Sequence, residues 1–369
     1  MLAAGGARVT LAGFRRTAEP VGDVEGLVPI DLGVTRDGRF AQRMAALAKA
    51  AVAIGSALRG VSRPDLIIAR NLEMLALAER AKARFSGGAV PVVYECLDIH
   101  RLVLGDNLAG RALRGAERYL GRDVRLLLTS SPAFVSHYFE PYGQIAAPVE
   151  LLENKYFELS RGAAVLGGQP GPGSPPWRIG WFGALRCRRS LELLAAFSRR
   201  AQGRFEIVLR GRPALSEFPD FHGFVQSEPH LSFQGPYRNP EDMAAIYGAV
   251  HFAWAIDFFE EGQNSTWLLP NRLYEGCRFG AVPISMSDTE TARFLDRRRI
   301  GLRLKEPTVE SLEDALGGMN EARFKDLQVA VLGQNPKTWS YDRSDCLALV
   351  ERLGRLAAAP GRLPVAALA

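Results

Sequence analysis

Several short stretches of this chain hold residues whose types and spacing can do chemistry. In Ile179-Gly-Trp-Phe-Gly-Ala-Leu-Arg-Cys-Arg-Arg-Ser-Leu-Glu-Leu-Leu194 an apolar strand runs into a glycine turn, three arginines and an amphipathic helix. Gly183 permits close backbone approach, and a helix N-terminus beside Arg186 and Arg189 favours an anion. Arg188 is expected to face solvent. In Leu268 to Ile284 (LLPNRLYEGCRFGAVPI), Pro270 and Asn271 open a helix over 272–279 that holds Glu275. Gly280 caps it, and Val282-Pro283-Ile284 follows as a buried strand. A carboxylate such as Glu275 has two oxygens for a vicinal diol. Upstream, Glu260, Glu261, Gln263, Asn264 and Ser265 offer hydrogen-bonding groups to a polar ligand. In the first half, Val93-Tyr-Glu-Cys-Leu-Asp-Ile-His-Arg101 ends a strand and opens a loop. Its Asp98 and His100 are the ordinary residue types for taking a proton from an attacking hydroxyl.

These groups need a scaffold, and the pattern of apolar runs supplies one. From Arg8 onward, strand-length runs alternate with longer periodic segments, as in βα units with a mainly parallel sheet. Strands are predicted at Arg8–Phe14, Leu27–Asp31, Leu66–Ala69, Val90–Glu95, Leu126–Ser130 and Val149–Leu152, with helices over 39–59, 71–85, 107–121 and 132–141. Residues 162–176 read GAAVLGGQPGPGSPP, with five glycines and four prolines that cannot build a regular element. A second series restarts at Trp177, with strands near 178–182, 205–210, 231–234, 251–255, 282–284 and 300–302. Helices are predicted over 189–202, 240–248, 269–279, 290–297, 308–318 and 320–332. The expected organisation is one Rossmann-like domain over 1–160, a linker or loop over 161–176, a second Rossmann-like domain over 177–338, and a helix and tail over 339–369 that cross back. Two Rossmann-like halves would then enclose a cleft. The opening Met1-Leu-Ala-Ala-Gly-Gly-Ala7 reads as the last turn of a helix before a strand, so a first strand is expected to be missing, the alternative being a native start on a short helical turn.

Composition narrows the class. The chain has 369 residues, 47% apolar and 23% charged, which excludes a disordered, collagen-like or disulfide-stapled protein. The net charge of +6 is spread over both halves and lacks the dense basic clusters with stacking aromatics of a nucleic-acid binder. Cys96, Cys187, Cys277 and Cys346 are widely separated, with no C-x-x-C pair, so reduced thiols in the cytoplasm are expected. No stretch reads as a signal peptide or transmembrane helix.

The 268–284 segment resembles the P-N-K-x-x-E-x-x-x-x-G-x-P-V-I signature of nucleotide-sugar glycosyltransferases of GT-B architecture. The likeness is greatest to glycosyltransferase family 4 and to bacterial enzymes of succinoglycan-type exopolysaccharide assembly. The resemblance implies two Rossmann-like domains, with Glu275 on the donor ribose and Arg272, in the usual lysine position, on phosphate. It carries the diphosphate role to Arg186 and Arg189, close backbone approach to Gly183, and contacts near the base to Arg210 in Val208-Leu-Arg-Gly-Arg212. Asn271 opens the donor helix and Asn264 lies on the loop past the donor sugar. Phe233-Gln-Gly-Pro-Tyr237 resembles the next strand and loop, and Asn154 a structural turn. Trp267 stands where many members place a second glutamate, so the two-glutamate motif is incomplete. Asp98 and His100 fall in the segment resembling the family's acceptor-side loop.

The resemblance further implies hexose transfer from a nucleotide diphosphate sugar, with UDP-glucose indicated, to a growing polysaccharide or lipid-linked oligosaccharide. It implies a retaining enzyme without cofactor or metal, and no Asp-x-Asp motif occurs in the chain. A nucleotide-sugar epimerase of the same fold, or a non-catalytic nucleotide-binding chain, would share the same contacts. Arg111, Arg114, Arg118, Arg122 and Arg125 recur at helical spacing beside Ala109, Ala112, Leu113, Ala116 and Leu120. Such a helix suits anionic lipid head groups at the inner face of the plasma membrane. The ordinary alternative is that its small apolar residues pack on the sheet while its arginines face water.

Overall fold

A computed structural model describes residues 1–36, 39–85, 90–159 and 174–358. The chain divides into two compact units, Met1–Leu152 with Arg343–Ala369, and Glu153–Asp342.

In the first unit, β1 (Ala12–Arg15) pairs in parallel with β2 (Ile30–Val34), and α1 (Phe40–Ala57), β3 (Ile67–Arg70) and α2 (Asn71–Lys82) follow. Next come β4 (Val92–Cys96), α3 (Arg101–Leu104), α4 (Leu108–Leu120) and β5 (Val124–Thr129). Two short helices, α5 (Pro132–Phe134) and α6 (Glu140–Tyr142), flank a π turn at Val135–Phe139, and β6 (Val149–Leu151) closes the series. Strands β3-β4-β5-β6 form one parallel sheet in that order. Every residue of β4 is buried, as a parallel strand covered on both faces requires. The single sheet expected here is divided, because β1 and β2 form a separate two-stranded ladder. The strand expected from Arg8 begins only at Ala12, and its register breaks between Gly13 and Arg15.

The second unit opens on β7 (Tyr156–Phe157), then β8 (Trp177–Leu185), α7 (Arg188–Arg200), β9 (Phe205–Pro213), α8 (Phe221–Ser227), β10 (Leu231–Phe233) and α9 (Met243–Gly248). It continues through β11 (Phe252–Trp254), α10 (Asn264–Trp267), α11 (Asn271–Arg278), β12 (Val282–Met286) and α12 (Glu290–Arg298). Then come β13 (Leu302–Leu304), α13 (Val309–Leu316), α14 (Glu321–Leu332) and β14 (Ser340–Tyr341). Its six-stranded sheet has the order β10-β9-β8-β11-β12-β13, all parallel. Trp177, Trp181, Phe205, Phe252 and Trp254 are fully buried at its centre.

The units part at Leu152/Glu153, ahead of the Gly/Pro-rich stretch that the sequence suggests as linker. The reason is that β7 already pairs with β14 inside the second unit. Residues 161–173 of that stretch lie outside the described residues. The last helix, α15 (Arg343–Ala358), belongs to the first unit and sets Leu349, Leu353 and Leu356 against Val93, Leu126 and Leu128. Gly5 packs so tightly on it that a Cβ there would lie 2.3 Å from the Cys346 carbonyl oxygen.

Candidate active site

In the six-stranded sheet β8 lies beside β11, and successive strands are added outward on either side of that pair. Such a reversal leaves a crevice outside the carboxyl ends of the two strands, where open parallel sheets take their ligands. The conspicuous charges of the second unit gather there. Arg186 follows β8, Arg189 stands in the first turn of α7, Asp257 follows β11, and Arg272 and Glu275 project from α11.

The arginines are held by partners of both kinds. Arg186 Nη2 lies 3.3 Å from Asp257 Oδ2, with its guanidinium 4.7 Å from the centre of the Phe259 ring. Arg272 is largely buried, donates from Nη2 to the Ile256 carbonyl at 3.0 Å, and lies 3.8 Å from the same Asp257 oxygen. Its Nε is buried without a hydrogen-bond partner. Arg189 pairs with Glu261 at the exposed rim and lies 4.8 Å over the Phe258 ring. Arg188 faces solvent and pairs with Glu192 one turn on, as expected.

Glu275 is 6% exposed. Its Oε2 accepts from the Tyr247 hydroxyl at 3.0 Å and its Oε1 from Asn239 Nδ2 at 3.4 Å. Burial pushes its carboxyl above the ordinary carboxylate range, with Tyr247 and Arg272 pulling the other way. Asn271, the first residue of α11, is exposed. Arg210 approaches the Pro236 carbonyl at 3.4 Å. With Arg178, Glu206 and Gln234 it lines a hollow of about 350 Å³. Tyr237 lies near Arg210, Arg272 and Glu275, and burial pushes its hydroxyl up to about 12. Gly183 has φ +108 and faces Gly211, with φ +126, in the β8–β9 ladder.

Asn264 is buried at the start of α10 and donates to Glu260 Oε2 at 2.9 Å. Ser265 accepts from the Glu260 amide at 2.8 Å. Asn154 is structural, donating to the Leu269 carbonyl at 3.1 Å. Asp257, Tyr247 and Asn239 were not singled out by the sequence motifs. The pattern that could have found Asp257 is a lone acid just past a strand in a parallel series.

Asp98 and His100 belong to the first unit and are exposed after β4. His100 caps α3, its Nδ1 accepting from the Leu102 amide at 3.2 Å. With Nδ1 accepting, the neutral ring holds its proton on Nε2.

Helix α4 meets the ordinary expectation only in part: Arg111 and Arg118 face solvent, but its small apolar residues do not pack inward. Gly110, Arg114 and Glu117 are buried, whereas Leu108 is 82% and Tyr119 62% exposed, and Ala109, Ala112 and Ala116 are exposed beside them. Arg114 donates to the Val103 and Gly105 carbonyls. Glu117 accepts from the Tyr94 hydroxyl at 2.7 Å, the Tyr138 hydroxyl at 2.5 Å and Gln144 at 3.0 Å. The arginine row is also shorter than its spacing suggests. Gly121 ends the helix, Arg122 falls in the following turn and Arg125 in β5.

The fold is GT-B, the architecture of many nucleotide-sugar glycosyltransferases. Sucrose-phosphate synthase from Thermosynechococcus elongatus matches with TM-score 0.71 and 14% identity, covering 97% of this chain and 91% of that one. Anabaena HepE in complex with UDP and glucose matches with TM-score 0.59 and 12% identity over 94% and 99% of the two chains. The catalytic domain of starch synthase IV from Arabidopsis thaliana, bound to ADP and acarbose, matches with TM-score 0.56 and 13% identity over 91% and 84%. No protein-family model matches the sequence. The chain belongs to the family of the succinoglycan biosynthesis protein ExoL of Rhizobium meliloti (strain 1021), with 60% identity over 373 aligned residues that span all of this chain and 92% of that protein.

Proposed function

We propose that this protein is a glycosyltransferase of succinoglycan-type exopolysaccharide synthesis that moves a hexose from a nucleotide diphosphate sugar to a saccharide or lipid-linked acceptor. The observation that carries the reading is the convergence of Arg186, Arg189, Arg272 and Glu275 at the carboxyl ends of β8 and β11. The arginines take the diphosphate, Glu275 the ribose diol, and Arg210 with Tyr237 the neighbourhood of the base. Gly183 lets the backbone approach the donor, Asn271 opens the helix that faces it, and Asn264 belongs to the loop beside the sugar. UDP-glucose is the donor we favour, supported by the exopolysaccharide relative and by a neighbour bound to UDP and glucose.

Transfer breaks the bond between the anomeric carbon and the diphosphate oxygen and forms one to the acceptor oxygen. Negative charge grows on the departing diphosphate, and preorganised arginines stabilise it most when water is excluded. This suits a metal-independent route without a protein nucleophile, and the family resemblance implies that it retains the anomeric configuration. On the acceptor side Asp98 is the better candidate for receiving the hydroxyl proton, while His100 donates a hydrogen bond. The exposed Leu108, Ala112 and Tyr119 beside Arg111, Arg118 and Arg122 suit the interface of an anionic membrane, where a lipid-linked acceptor would be met. No helix among the described residues is long and apolar enough to cross a membrane.

The test is a thermal-shift titration with UDP, GDP, ADP and dTDP on the parent and on Glu275→Ala. A shift with one nucleotide that vanishes in the variant supports the reading and names the donor class. No shift with any of them overturns it.

A further inference from the structure

The side chain of Asp257 is 8% exposed and each of its oxygens has work. Oδ2 stands between two guanidinium groups, 3.3 Å from Arg186 and 3.8 Å from Arg272. Oδ1 accepts from the Phe259 amide at 2.8 Å and from the Ser265 hydroxyl at 3.4 Å. One carboxylate therefore joins three separate segments: the turn after β8, the first turn of α11, and the loop from β11 into α10.

Two guanidinium groups converging on one anion site repel each other until the anion arrives. Arginine also has enough rotamer freedom to swing out to water, so an unsupported pair would have to be ordered at the moment of binding. A buried carboxylate between them offsets the repulsion, hydrogen-bonds Arg186 and holds a counter-charge beside Arg272, whose guanidinium is also anchored on the Ile256 carbonyl. Its second oxygen, spent on the loop backbone, fixes the carboxylate itself. Glu261 differs, because its pair with Arg189 is about half exposed on both sides and can open when a stronger anion appears.

We infer that Asp257 is a positioning residue that holds Arg186 and Arg272 as a preformed pair for the diphosphate of the donor. The inference rests on the donor-site reading above and adds a residue that does not itself touch the nucleotide. It makes a counterintuitive demand: removing a negative charge from beside an anion site must weaken anion binding, because lost geometry outweighs relieved repulsion.

The experiment compares the nucleoside monophosphate and diphosphate of the base that the parent prefers, by calorimetric titration of the full chain. The readout is the gain in affinity from mono- to diphosphate. In Asp257→Asn this gain is expected to shrink roughly tenfold or more, with monophosphate affinity within about threefold of the parent. Glu261→Gln, which alters the exposed pair, is expected to keep the gain. Asp257→Glu retains the charge but moves it by one methylene, and it is expected to shrink the gain too; it carries the test if the asparagine variant fails to fold. An unchanged gain in the folded variants, an equal loss for both ligands, or tighter diphosphate binding in Asp257→Asn overturns the inference. A parent that binds no nucleotide overturns the donor-site reading itself, and this inference with it.

Discussion

Gly183 and Gly211 lie opposite each other in the β8–β9 ladder, both in the left-handed region, and so close that a Cβ on Gly211 would sit 2.0 Å from the Gly183 carbonyl oxygen. The ladder still runs in register past this contact to Leu185 and Pro213, and β8 ends one residue before Arg186. Gly211→Ala is therefore expected to destabilise the protein by roughly 1–3 kcal/mol from overpacking alone, with further strain from the positive φ. Urea denaturation checks the stability, and loss of the nucleotide-induced thermal shift checks the site.

Replacing Glu275 by glutamine should separate stability from binding. Burial raises its carboxyl, so the folded chain holds that proton more tightly than the unfolded chain, and stability is lost as pH rises through the raised value. Glutamine removes that loss while still accepting from Tyr247. We expect Glu275→Gln to melt higher than the parent at neutral pH yet bind nucleotide roughly 10–100-fold more weakly, a charged hydrogen-bond acceptor having been removed. A melting curve and a titration on the same sample decide it.

The same carboxyl should make donor binding depend on pH. In the proposed role, accepting from two ribose hydroxyls, it must be ionised, and burial moves its protonation above the ordinary carboxylate range. Nucleotide affinity is expected to fall on mild acidification, at a higher pH than a surface carboxylate would dictate, and to fall less in Glu275→Gln, where only the protonation of the ligand phosphate remains. Titrations across the acid range check this.

Much of the second unit was legible because its elements are local. The helix predicted over 269–279 forms as Asn271–Arg278, since proline before it and glycine after it act on neighbouring backbone. Glu275 and Arg272 could be picked out as candidates for the same reason, being set by the spacing of one helix. Asp257 was not, because its meaning lies in arginines about 70 residues before and 15 residues after it, brought together only by strand order. Helix α4 misled for a related reason. Its alanines and leucine read as the inward face, but the polar side is drawn inward by carbonyls before the helix and by hydroxyls of Tyr94 and Tyr138 on other elements.

That buried cluster is itself testable. Glu117→Ala leaves the two tyrosine hydroxyls and Gln144 without their shared acceptor and is expected to lower stability by on the order of 3 kcal/mol. Burial raises the Glu117 carboxyl, so its ionisation should lower stability as pH rises through the raised value, and Glu117→Gln should remove that slope. Denaturation series at several pH values measure both.

The outward face of α4 gives a surface prediction. Leu108→Glu with Tyr119→Glu, both at exposed positions, should leave the melting temperature nearly unchanged and abolish co-sedimentation with vesicles containing anionic lipid. Equal sedimentation of parent and variant would remove the membrane from the account.

The return of α15 to the first unit has a consequence for how the molecule is made. The second unit begins and ends on β7 and β14, which pair with each other, so all of its parts lie within one uninterrupted run of chain. The first unit lacks the helix that covers Val93, Leu126 and Leu128 until residues beyond Arg343 have left the ribosome. Domains fold as units during synthesis. The half that is translated second is thus the first able to finish folding, and the earlier half waits with an uncovered apolar face, so a nascent chain arrested before α15 should be the form a chaperone holds.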